Sequence, residues 1–145
     1  MGLNAAEDYK PVDAPIQVTI TNGDLRYARY PVLAGHFAHD GILSSELAID
    51  KQLNGELTNR LALGLHPDHI GDAEVILTDK APNDGFQGTI IVGLGNQGEL
   101  TPYLLMRSVE QGIAKYLAII NVKSNHSDWA EKRPRIGVSV LAVAG

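Results

Sequence analysis

The chain has 145 residues, 44% of them hydrophobic and 20% charged, with a formal net charge of −5 and no cysteine. That length and balance describe one ordinary globular domain with a core of its own, and exclude wholesale disorder. The lack of cysteine removes disulfides, thiolate metal sites and cysteine nucleophiles, and the 12 scattered Lys and Arg offer no basic face to a nucleic acid.

Residues 1–15 are polar, carry Glu7, Asp8 and Asp13, and include Pro11 and Pro15, so they read as a flexible arm and not as a signal peptide. No later run approaches the roughly 18 apolar residues of a membrane span. A cytoplasmic protein with no membrane and no nucleic-acid partner is the expectation. Residues 16–20 (IQVTI) alternate in the manner of a half-buried strand. Asn22 and Gly23 then form a turn from which residues 25–30 pair back as a hairpin. Residues 31–36 (PVLAGH) predict a short buried strand ending at Gly35.

After the turn at Asp40 and Gly41, Ser44 or Ser45 caps a helix with Glu46 in its first turn. Leu47, Leu53, Leu57 and Leu61 recur at helical spacing, Asn54 and Gly55 loosen its middle, and Gly64 and Pro67 end it. Residues 73–78 (AEVILT) form a strand. Residues 89–94 (TIIVGL) are a continuous apolar run typical of a strand covered on both faces. Thr101 caps the next helix with Pro102 at its first position, and Leu105, Val109, Ile113, Tyr116, Leu117 and Ile120 make its buried stripe. A polar link through Trp129, with the basic cluster Lys132, Arg133 and Arg135, leads to a last strand at 136–143. Strands flanking helices imply parallel pairs, so the predicted fold is α/β, with a three-layer, mixed and largely parallel sheet carrying helices on its faces. Residues 16–145 make one domain, and the stop directly after a buried strand is expected to mark a piece of a longer chain.

The segment between the 89–94 strand and the helix, Gly93, Leu94, Gly95, Asn96, Gln97 and Gly98, matches G-x-G-x-x-G, whose glycines let backbone N–H groups approach a pyrophosphate. Three features depart from a dinucleotide site. The cap at Thr101 sets the helix back from the loop, Glu99 puts a carboxylate beside it, and the ribose-binding acid due about 20 residues on falls inside the helix. The glycines are therefore read first as a structural turn. His36, His39 and Asp40, and separately His66 and His69, have H-x-x-H spacing. Two such pairs could converge, but neither lies on a helix face, no third ligand is apparent, and loop histidines are ordinarily solvated. No metal or other cofactor is expected. Ser44, Ser45, His36 and Asp40 lie close in sequence without a nucleophile elbow, so no catalytic residue is assigned. Glu46 and Asp50, four apart on one helix face, are accounted for by a solvated face.

Residues 90–95 (IIVGLG), followed by Glu99, Leu100, Thr101 and Arg107, resemble the strand, turn and helix of the N-terminal, macro-like domain of the leucine aminopeptidase family. The front half (residues 31–37, 46–50, 63–65 and 70–75) resembles a module of large bacterial multidomain proteins, some of which carry caspase-like (CHAT) peptidase or hydrolase domains. The resemblance implies a macro-like fold and a non-catalytic accessory domain of a larger bacterial protein. Such a domain serves assembly or contact, either with other domains of the same polypeptide or with a protein partner, a homo-oligomer included. Related macro domains bind ADP-ribose by a glycine-rich loop, which implies the alternative of a nucleotide sensor using Gly35, His36, Asp40, Gly93, Gly95, Asn96, Gly98 and Thr101. This chain has no clear match to the acidic residue by which many of those domains grip adenine. A small hydrolase using His36, Asp40 and a bound water or metal is the third alternative.

Overall fold

A computed structural model describes residues 16–81, 83–124 and 136–140. The expected arm at 1–15, the basic cluster at 132–135 and the end of the last strand lie outside the described residues. Four strands form one open sheet in the order β2-β3-β1-β4. They are β1 (Val32–His36), β2 (Ala73–Leu77), β3 (Gly88–Gly93) and β4 (Ser139–Val140). The helices are α1 (Ser44–Gln52), α2 (Glu56–Ala62) and α3 (Pro102–Ser124). β1 runs parallel to β3 and to β4, while β2 is antiparallel to β3. The sheet is thus mixed and mostly parallel. No helix among the described residues is long and apolar enough to cross a membrane.

The period-2 alternation of the strands sorts the core into two layers. Val32, Ala34 and Ile91 point to one face and pack with Ile49 of α1, Leu57 of α2 and Phe86. Leu33, Val75, Ile90 and Val92 point to the other and pack under Val109, Ile113 and Tyr116 of α3. Every residue of β3 is buried, as its unbroken apolar run predicts. Its one polar side chain, Thr89, donates from Oγ1 to the Val32 carbonyl at 2.7 Å.

Four local expectations are corrected. Residues 16–20 join no strand, and Ile16, Val18 and Ile20 are exposed. β propensity becomes a strand only where a sheet edge accepts it. The hairpin fails too, because the Asp24 carboxylate accepts from the Arg26 N–H at 2.9 Å and winds Leu25–Tyr27 into a 3-10 turn. The single helix expected over 44–61 is two helices. Asn54 (φ 55°) and Gly55 (φ 83°) take left-handed backbone between them, which ends α1 and starts α2 in a new direction. The α1 N-cap is Leu43, without a side-chain bond, so neither Ser44 nor Ser45 caps it.

Thr101 does cap α3, its Oγ1 accepting from the Leu104 N–H at 3.2 Å. The buried stripe of that helix differs from the expected one. Ser108, Gly112 and Tyr116 face the sheet and are buried, whereas Leu105 and Leu117 are exposed. Gly112 sets the approach, since a Cβ there would come within 2.6 Å of Val92 Cγ1 and 3.0 Å of Ile90 Cγ2. Gly112→Val is therefore expected to lift α3 and cost about 2 kcal/mol, an overpacking penalty, readable as a lower urea midpoint with an unchanged slope. An unchanged midpoint would show that the helix does not need this contact.

Candidate functional site

β1 and β3 are adjacent and parallel, and their chains leave to opposite faces, β1 toward α1 and α2, β3 toward α3. Diverging connections open a crevice at the carboxyl ends of such a pair, the usual ligand position in open α/β sheets. Here those ends carry His36 and Gly93. A crevice of about 1150 Å³ lies there, lined among others by His36, His66, Asp68, Asp72 and Lys115.

His36 ends β1 on the side of Val32 and Ala34, so its ring turns toward α1 and is buried to 1% exposure. There it meets Glu46, and His66 comes in from the loop after α2 (both 7% exposed). His36 Nδ1 lies 2.9 Å from Glu46 Oε2 and 3.1 Å from Oε1, and His66 Nε2 lies 3.0 Å from Oε1. The imidazoles meet edge to face, centroids 4.4 Å apart. Burial works to raise the Glu46 carboxyl, but the hydrogen bonds from His36 and then His66 outweigh it and hold the group below the usual carboxylate range. An ionised carboxylate only accepts, so His36 donates through Nδ1–H and His66 through Nε2–H. The remaining His66 nitrogen, Nδ1, is buried and has no hydrogen-bond partner among the described residues.

The glycine segment borders the crevice, but much of its backbone is engaged. The Gly93, Leu94 and Gly95 N–H groups donate to the carbonyls of Asp72 (2.9 Å), His36 (2.8 Å) and Asp68 (2.8 Å). The Gly95 carbonyl accepts from Ala38 N–H at 2.9 Å, and that of Gly93 from the buried Ser108 hydroxyl at 2.7 Å. Asn96 and Gly98 are exposed; the Asn96 amide reaches Glu99 at 3.2 Å. Asp40 accepts from the Gln97 amide at 3.1 and 3.2 Å, not from His36. Gly35 is exposed, and the Thr101 hydroxyl is used as the α3 cap. The structure thus joins His36 to the glycine turn through the Leu94 N–H, and ties Asp40 to the same turn through Gln97.

Sequence reasoning missed Glu46 as a partner of the two histidines. Of the two H-x-x-H pairs, the first members converge, while His39 and His69 are exposed. The solvated-face reading of Glu46 and Asp50 is corrected, because both are buried. The signal was present: extending the Ile49, Leu53 and Leu57 register back one turn reaches Glu46, whereas Leu47 is exposed. Neither the family models nor the curated proteins compared with this chain match it.

Proposed function

We propose that this chain is a non-catalytic accessory domain of a larger bacterial protein, macro-like in fold, that holds a partner on the open flank of α3. The observation that carries this reading is the second apolar face of that helix. Ser108, Gly112 and Tyr116 already fill the contact with the sheet, yet Leu105 (42% exposed), Met106 (49%) and Leu117 (38%) continue beside it with Pro102, Val109 and Ile113. A helix apolar beyond the face its own sheet covers is one with a second neighbour. Anchors spaced three and four apart from 102 to 117 suit an amphipathic helix of the partner, laid along roughly 22 Å of groove. Arg107 and Glu110 at its edge supply a polar rim.

With no partner present, such a face is expected to drive weak self-association. Light scattering should therefore show reversible dimers for the wild-type chain and monomers for Met106→Asp, with equal thermal stability because residue 106 is outside the core. A wild-type chain that stays monomeric at high concentration, and binds no more hydrophobic dye than Met106→Asp, would end this reading.

The nucleotide-sensor alternative draws on the position of the crevice. Three loop N–H groups are spent on carbonyls, however, and among the described residues Asp40, Asp68, Asp72 and Glu74 line the space against one lysine, Lys115. That lining suits a cation better than a phosphate. Saturation with ADP-ribose at 100 times its Kd would add about 2.7 kcal/mol of stability, and a thermal shift of that size would restore the alternative.

A further inference from the structure

The His36, Glu46 and His66 cluster has a composition that core packing does not explain. Three separate segments, the end of β1, the first turn of α1 and the loop after α2, each bring one ionisable side chain to the same buried point. A buried carboxylate ordinarily needs a cationic partner, because removing a charge from water is costly. Among the described residues no lysine or arginine bonds to Glu46; its side-chain partners are the two imidazoles.

We propose that His36, Glu46 and His66 form a binding site for a divalent transition-metal ion, zinc being the ion their chemistry fits. One ligand atom from each residue lies within 4.8 Å of the others. Imidazole nitrogen and carboxylate oxygen bind zinc at about 2.0–2.2 Å, so neighbouring donors around a tetrahedral ion stand roughly 3.3 Å apart. With Glu46 Oε1 as the one carboxylate donor, His36 Nδ1 (3.1 Å) and His66 Nε2 (3.0 Å) stand a few tenths of an ångström short of that. Each imidazole becomes a ligand by moving the proton it now shares with Glu46 to its other ring nitrogen, Nε2 of His36 and Nδ1 of His66, so both rings stay neutral and the two positive charges of the ion stand beside one carboxylate. Two histidines with one carboxylate leave a fourth position. Since His36 and His66 both line the crevice, that position faces it and takes a water or a small ligand donor. The acidic lining at Asp40, Asp68 and Asp72 favours entry of a cation by the same path. The two H-x-x-H pairs contribute one histidine each, so local spacing could not reveal the site.

The test uses the whole chain, stripped with chelator, loaded with zinc and dialysed against metal-free buffer. Elemental analysis is expected to find one zinc per chain, zinc should raise Tm, and cobalt in its place should give the intense visible bands of a tetrahedral site. His66→Gln and Glu46→Gln should weaken zinc binding by more than the roughly 10–100-fold that loss of an outer-shell partner costs. His69→Ala, with an exposed side chain three residues from His66, should bind as the wild type does. Folded wild-type chain that retains no zinc and shows no cobalt bands overturns the proposal whatever the variants do. Equal binding by folded His66→Gln overturns it as well. The α3 face is decided by other residues and another measurement, so either reading can fail without the other.

Discussion

Gly93→Ala should be severely damaging for a single added methyl, costing about 4 kcal/mol or more and lowering Tm on the order of 15 °C. A Cβ at this position falls on the His69 carbonyl, well inside contact distance, and within 2.8 Å of the His69 backbone nitrogen. Neither atom can move aside, because Gly93 N–H bonds to the Asp72 carbonyl and Gly95 N–H to the Asp68 carbonyl, which pins the 68–72 loop against the strand end. Gly98, the last glycine of the same motif, has nothing within 4 Å of its Cβ position and is special only in its φ of 85°. Gly98→Ala should therefore cost only the left-handed penalty, about 1–2 kcal/mol. Denaturant unfolding of the two variants checks the contrast. Equal losses would mean that Gly93 is not the point where the two loops lock.

The contrast also shows what the sequence can and cannot carry. The strand before the motif was legible because an all-apolar run has one common fate, burial on both faces, and the start of α3 was legible because Thr101 and Pro102 act on their own neighbours. What the glycines are for was not legible, since a glycine that admits a phosphate and one that admits the carbonyl of His69 look alike in one dimension. The same holds along α3, where leucines at helical spacing suggested the buried stripe. The sheet instead chose Ser108 and Gly112, because small side chains let the helix come closest, and left Leu105 and Leu117 outside. It holds again at the histidines: His36 and His66 are 30 positions apart, and only the turn at Asn54 and Gly55 brings the second back to the first. Hairpin signals at 16–30 failed for a related reason, as a strand needs an edge that local pattern does not supply.

That turn rests on Asp50, and Asp50→Ala is expected to cost about 3 kcal/mol. The α2 N-cap is Gly55, which has no side chain to offer the free N–H groups of the first turn. Asp50 supplies the acceptor from seven residues upstream: its Oδ1 accepts from Leu57 N–H at 2.7 Å and Thr58 N–H at 3.3 Å, and its Oδ2 from the Thr58 hydroxyl at 2.5 Å. A carboxylate there also meets the positive end of the α2 dipole. Ordinary caps contribute about 1 kcal/mol. This one is charged and 4% exposed, and its removal strands the N–H of fully buried Leu57, which brings the cost to that of a lost charge-assisted hydrogen bond, about 1.5–3 kcal/mol. Asp50→Asn keeps the oxygen facing the two N–H groups and lets the Thr58 hydroxyl turn to accept, so its loss should be about 1 kcal/mol. The order Ala worse than Asn in urea midpoints is the decisive reading, since a solvated surface carboxylate would give near-zero losses for both. Because α2 leads directly into the loop that delivers His66, Asp50→Ala should also loosen the His36–Glu46–His66 cluster while leaving α3 in place. Amide exchange at Leu57 and Thr58, and in the loop at 63–66, should quicken more in Asp50→Ala than at the protected amides of β3, whose rates rise only by the loss of global stability; equal quickening at both would mean that α2 has no separate role in holding His66.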